Sequence, residues 1–154
     1  MTTPLPDDLK TLLSSPDTLK VLATVGPDGE PHAVLDPSIH LDAGGRLVYL
    51  ELLESSRTQR DLVASLWFDR PVTLMVTGRG RTWRIAARAW KAHVAGPLFR
   101  RHYEWIRAER PAADLAAVWL IEPVAVTEET DAVRRARQEA ERPFFIHLDR
   151  LART

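Results

Sequence analysis

Six consecutive hydrogen-bonding side chains, Ser55, Ser56, Arg57, Thr58, Gln59 and Arg60, stand between an apolar run and an amphipathic run in the segment ELLESSRTQRDLVASLWF. One capping hydroxyl is enough to start a helix, since it satisfies one of the four N–H groups that the first turn leaves open. Such an excess has two readings: a solvated helix start capped by Ser55 or Ser56, or a place that holds an anion. The second has a physical basis. The N-terminus of a helix offers free N–H donors and the positive end of its dipole, and a guanidinium such as that of Arg57 can grip a phosphate through two parallel hydrogen bonds. His32, in the strand HAVLDP, is either solvent-facing or a further contact to the same anion.

The remaining candidates for chemistry are fewer. His93, His102 and His147 are possible iron ligands, yet no two of them have ligand spacing, and a lone histidine is usually structural. There is no cysteine, which excludes disulfides, thiolate zinc sites and cysteine nucleophiles. His-Glu-x-x-His, a phosphate-binding Walker loop, Gly-x-Ser-x-Gly and the dinucleotide fingerprint are all missing, so hydrolase and nucleotidase chemistry has no support. No metal site is expected. With 21 basic and 21 acidic residues among 154, no global field favours nucleic acid or an anionic membrane, and any anion site must be local. The N-terminus lacks a basic, apolar leader, and no run of about 18 apolar residues occurs. A cytoplasmic protein is expected.

The elements that would position these residues follow from periodicity. Pro6 and DDLKTLL read as a short helix, with acids near the positive dipole end. LKVLATV, the turn GPDGEP and HAVLDP make a hairpin, with Leu19, Val21, Ala23 and Val25 on one face of its first strand. The turn DAGG leads to the strand Arg46 to Leu53, and a helix follows near Thr58 to Phe68. VTLMVT and the turn GRGR lead into a long strand from Thr82 to Val94. In that strand Trp83, Ile85, Ala87 and Ala89 share one face and Trp90, Ala92 and Val94 the other, a slip of phase that predicts a β-bulge between Ala89 and Trp90. A helix from Gly96 and Pro97 and a strand LAAVWLIEPVAVT come next, then a polar surface helix in EETDAVRRARQEAE capped by Thr127. Trp67, Trp105 and Trp119 read as core, and Trp83 and Trp90 as core or dimer contacts. The tail residues Phe144, Phe145, Ile146, Leu148 and Leu151 need a surface to cover. About six strands, joined mostly by turns, favour an antiparallel barrel over a parallel sheet.

Three stretches, LATVGPDGEPHAV, LVYLELLESSRTQRDL and GRTWRIAARAWKA with its following helix and AVWLIEPVAVT, resemble in order and spacing the pyridoxamine 5'-phosphate oxidase-like family of FMN-binding split barrels. The resemblance spans roughly Leu9 to Thr127. It implies a mainly β chain with flanking helices, a split antiparallel β-barrel that is homodimeric. Residues 1–127 would form the barrel, and 128–154 a C-terminal helix and apolar tail packed on the barrel or the partner subunit. It also implies FMN held in the dimer groove, its phosphate on Ser56, Arg57 and Thr58 with help from Ser55 and Arg60, and His32, Val34 and Thr82 along the ribityl chain or ring. Thr58 stands where the family often has Lys, His32 where it often has Arg, and Thr82 where a Gln would touch the flavin. Glu51 and Leu52 replace an aromatic and hydroxyl pair, and the C-terminal segment of the true oxidases is absent. The expectation is therefore a flavin-dependent oxidoreductase acting on an unidentified small molecule other than pyridoxamine phosphate, with no assignable acid or base. Alternatives are a non-catalytic split-barrel binding protein that has lost flavin, or a haem-binding relative.

Overall fold

The computed structural model describes residues 2–142. Seven strands form one antiparallel sheet: β1 (Leu19–Val25), β2 (Pro31–Leu35), β3 (His40–Leu41), β4 (Leu47–Glu51), β5 (Val72–Gly78), β6 (Arg81–His93) and β7 (Ala117–Glu128). Their spatial order is β2-β1-β5-β6-β7-β4-β3, and the sheet curls into a half-barrel. The helices are α1 (Asp7–Ser14), α2 (Arg57–Phe68), α3 (Gly96–Glu109) and α4 (Asp131–Glu141). The two-residue strand β3, paired to β4 through His40 opposite Val48, is a seventh strand beyond the six expected.

Curling the sheet creates two apolar layers. The concave face gathers Leu22, Leu74, Ile85, Trp119 and Ile121 with Leu9, Leu12 and Leu13 of α1 and Leu62 of α2. The opposite face of β4 and β7, through Val48, Leu50, Val118 and Leu120, is covered by Ile106 of α3, with Leu98, Phe99 and Tyr103 beside it. Strands covered on both sides cannot alternate, which is why LVYLE and AVWLI are continuously buried runs.

β6 bends as its phase slip requires. Its register against β7 is irregular between Ala89 and Lys91, and a second irregularity lies between Ala86 and Ala87. The GRGR turn is a two-residue loop in which Arg79 and Gly80 both have positive φ, 51° and 74°, as the primed turns that join strands with the right twist demand.

Leu19, Val21, Ala23 and Val25 share one face of β1 as expected, and two other expectations, on the tryptophans and on the start of α4, are corrected. The buried face of β1 is Lys20, Leu22 and Thr24, and Leu19 is exposed. Trp119 is core, but Trp67 and Trp105 are 75% and 50% exposed. α4 begins after Thr130 instead of Thr127, because Thr127 and Glu128 still pair with Arg84 and Trp83 of β6. α4 has no buried residue, as its polar sequence predicts. The tail residues Phe144 to Leu151 and His147 lie outside the described residues.

Candidate functional site

The joint between β4 and α2 is a corner built on one carboxylate and one guanidinium. Side chains two apart on a strand share a face, so Tyr49 and Glu51 point the same way, and the Tyr49 hydroxyl donates to Glu51 Oε2 at 2.8 Å. The Ser56 hydroxyl donates to the same oxygen at 2.6 Å, and the Leu53 N–H donates to Oε1 at 3.0 Å. Glu51 is 4% exposed, so these three donors stand in for its lost hydration. Ser56 is also the cap of α2, its oxygen accepting from the Gln59 N–H at 2.9 Å. Burial, and then the neighbouring Glu51 carboxylate, push the Tyr49 phenol above its ordinary pKa, so it stays a neutral donor.

Arg57 opens α2 and faces the β1–β2 turn. Its Nη2 donates to the Glu30 carbonyl at 3.2 Å and lies 3.5 Å from Glu30 Oε2. Behind it sits Asp61, one helical turn on and fully buried, its Oδ2 3.8 Å from Arg57 Nε and 2.9 Å from the Thr24 hydroxyl that donates to it. Arg60 Nε is 3.8 Å from Asp61 Oδ1. Neither Arg57 Nε nor Asp61 Oδ1 makes a hydrogen bond.

The other joint residues have separate duties. Thr58 is buried and its hydroxyl reaches the Tyr49 phenol. The Gln59 amide oxygen accepts from the Trp119 indole N–H at 2.7 Å. Ser55 and Arg60 are exposed. His32 pairs with Thr24 across the hairpin, near Arg57's turn, and Val34 packs against the concave core. Thr82 is elsewhere. It pairs with Thr77, which pairs with Leu19, whereas His32 pairs with Thr24 five residues along β1, roughly 16 Å away at strand rise. There its hydroxyl bonds that of Thr77 at 2.8 Å, and its N–H donates to Thr130 at the start of α4.

The structure thus brings His32, Ser55, Ser56, Arg57, Thr58 and Arg60 to one end of the half-barrel and leaves Thr82 at the other. Glu51, Tyr49, Glu30, Thr24 and Asp61 complete the corner without having been singled out as site residues. Only Asp61 carried a local signal, as the acid at i+4 from Arg57. In this arrangement the Ser56 hydroxyl is not free to serve a flavin phosphate. The cap hydroxyl already serves an internal carboxylate, and a phosphate placed on it would face a like charge within a few ångströms.

A cleft of about 270 Å³ opens beside this corner, between the ends of β2 and β4 and helix α3, walled by Leu35, Tyr49, Leu53, Trp105 and Ile106 with Asp36, Glu51, Glu109 and Arg110 among its polar groups. Across α3, the rings of His40 and His102 lie 5.9 Å apart. Burial, then the neighbours His40 and Arg101, lower the His102 pKa and favour its neutral form. Among the described residues, no group of three or more His, Asp or Glu is placed to hold a metal, and no helix is long and apolar enough to cross a membrane.

Comparison with solved structures decides the architecture. HupZ of Group A Streptococcus superposes with a TM-score of 0.69 at 16% identity, over 83% of this chain and 96% of that one. An FMN-binding protein from Syntrophomonas wolfei gives 0.62 at 11% identity over 78% and 82%, and HutZ, the heme storage protein from Vibrio cholerae, 0.57 at 16% over 81% and 94%. The fold is the split β-barrel. It is shared by flavin-binding and haem-storing proteins alike, so it does not choose between their ligands. No protein-family model and no curated protein sequence matches the chain.

Proposed function

We propose that this chain is a homodimeric, non-catalytic split-barrel binding protein that does not keep FMN as a resident cofactor. The observation that carries the reading is the nearly buried Glu51 carboxylate, which takes the Ser56 hydroxyl, the Leu53 N–H and the Tyr49 hydroxyl at the helix start where an FMN phosphate would need donors. An internal anion that is already hydrogen-bonded three times has nothing to gain from yielding its place. Ligand binding falls instead to the apolar cleft beside it. The tail beyond α4 would cover apolar surface on the barrel or on the partner subunit. The test is direct. Protein purified without added flavin is expected to be colourless, and titration into FMN is expected to leave flavin fluorescence unquenched. A stoichiometric yellow protein would overturn the reading and restore the flavin oxidoreductase.

One observation favours a second reading, haem binding. Burial, then His40 and Arg101, lower the His102 pKa and so favour the neutral form in which an imidazole ligates iron, and the likeness to the heme storage protein HutZ agrees with that use. Haemin titrated into the protein would then give a Soret band that His102→Ala weakens. An identical band with that variant removes His102 from the site.

A further inference from the structure

β3 is the shortest strand and the outer edge of the sheet, hydrogen-bonded to β4 alone. Where it meets α3, the half-buried rings of His40 and His102 come to 5.9 Å between centroids, their planes tilted by 47°. Aromatic rings often pack with centroids about 4.5–7 Å apart, so the distance alone decides nothing. The protons say more. His40 Nδ1 lies 2.9 Å from the Ser38 carbonyl oxygen, which can only accept, so in the neutral ring Nδ1 carries the proton and Nε2 keeps its lone pair. A backbone carbonyl that holds one ring N–H is also what orients a metal-ligating histidine and fixes its tautomer. Among the described residues, neither His40 Nε2 nor either nitrogen of His102 makes a hydrogen bond, and the two rings do not bond each other. Burial, then His40 and Arg101, lower the His102 pKa, so a proton competes weakly for its lone pair.

Two imidazoles sharing one ion would stand at this separation. With Zn–N bonds of about 2.0–2.1 Å and ring nitrogens about 1.1 Å from the centroid, the centroids lie about 5.2 Å apart on a tetrahedral ion and up to about 6.4 Å as the N–Zn–N angle opens. The observed 5.9 Å falls inside that range. We propose that His40 and His102 form a two-histidine site for a divalent zinc ion, held through His40 Nε2 and one nitrogen of His102, with water in the remaining positions. Imidazole nitrogen suits zinc, whereas magnesium and calcium ask for oxygen ligands that this pair does not supply. The nearby Arg101 charge opposes any cation here and keeps the affinity modest. The ion would clip the edge strand to α3 at the side of the apolar cleft, since Ser38 precedes His40 by two residues, Trp105 and Ile106 follow His102 by one helical turn, and all three line that cleft. The site goes beyond the binding role proposed above and needs neither flavin nor haem; the haem reading uses His102 alone, whereas zinc requires both rings.

The probe is zinc chloride, titrated calorimetrically into the full chain after removal of metal by chelator and with no affinity tag. One ion per chain is expected near neutral pH, where both imidazoles are free of competing protons. His40→Ala and His102→Ala are each expected to weaken binding about tenfold or more, and magnesium chloride is expected to give no heat. Failure of zinc to bind, binding that either variant leaves intact, or equal binding of magnesium overturns the site. Nitrogen-15 NMR of the parent's imidazoles keeps the test independent of how the variants fold. Zinc is expected to shift the His40 Nε2 resonance while Nδ1 keeps its proton, and an unmoved His40 ring overturns the site even if zinc binds elsewhere on the chain.

Discussion

A buried charge is tolerated only where the fold supplies partners, and Lys20 shows how completely that can be done. Its Nζ donates to the carbonyls of Leu13, Pro37 and Ile39 at 2.8, 3.1 and 2.7 Å, tying the end of α1 to the segment before β3. Burial lowers its pKa, with Asp36 opposing. Lys20→Met would keep the stem's packing but orphan buried carbonyls, at about 1–3 kcal/mol for each one left unsatisfied. A loss of about 3 kcal/mol in urea unfolding is expected, and a loss under about 1 kcal/mol would show that the carbonyls find other donors. Glu122 is a carboxylate of the opposite kind. Arg88, donating at 2.9 and 3.1 Å, outweighs burial and holds its pKa below the usual value. A carboxyl depressed in the folded state contributes stability that is fully present above its unfolded pKa of about 4.3 and is lost as pH falls through the lower folded value. Thermal melts from about pH 6 to about pH 3 should therefore fall less steeply for Glu122→Gln than for the parent, and parallel acid limbs would dissociate this pair from acid sensitivity.

At the scale of elements, local pattern and register were legible where one face of a strand or helix decides the matter. The slip in β6, the hairpin β1–β2 and the joint of β4 with α2 all follow from spacing alone, because period and turn chemistry are local properties. Which face of β1 is buried is set by contacts that periodicity cannot reveal. Lys20 and Thr24 look solvent-facing until three carbonyls and Asp61 are brought to them by α1, the segment before β3, and α2. The start of α4 moves for a similar reason, since ladder bonds to β6 outweigh the cap at Thr127. The β5–β6 turn allows a clean test of a local rule. Gly80 has φ of 74° and only open space where a Cβ would stand, so Gly80→Ala meets only the conformational cost of the left-handed region, about 1–2 kcal/mol. A drop of that size in stability with unchanged ligand binding is expected. A neutral substitution would mean that the turn relaxes to another type.

For the whole molecule, the half-barrel was legible because about six expected strands joined mostly by turns favour an antiparallel barrel over a parallel sheet, and only the two-residue β3 was missed. The corner was legible only in position. That Ser56 and Arg57 would sit together followed from the chain, but their partners Glu51, Glu30 and Asp61 come from a strand end, a turn and a helix interior, and only folding shows that acids meet them there. The surface makes the last test. Leu35, Leu53 and Trp105, 63%, 60% and 50% exposed, line one cleft instead of being scattered, and clustered exposed apolar groups of this size on a folded chain mark a contact surface. If the proposed homodimer closes over this cleft, the parent chain should scatter light in solution as a species of twice the chain mass. Leu53→Glu with Trp105→Glu would place two carboxylates from each subunit in a desolvated interface, where unpaired charge is strongly unfavourable. The variant should run at the single-chain mass with an unchanged far-ultraviolet circular dichroism spectrum, since neither side chain belongs to either buried core cluster. A dimer that survives both substitutions would put the subunit contact on another face and leave this cleft open to ligand from solvent.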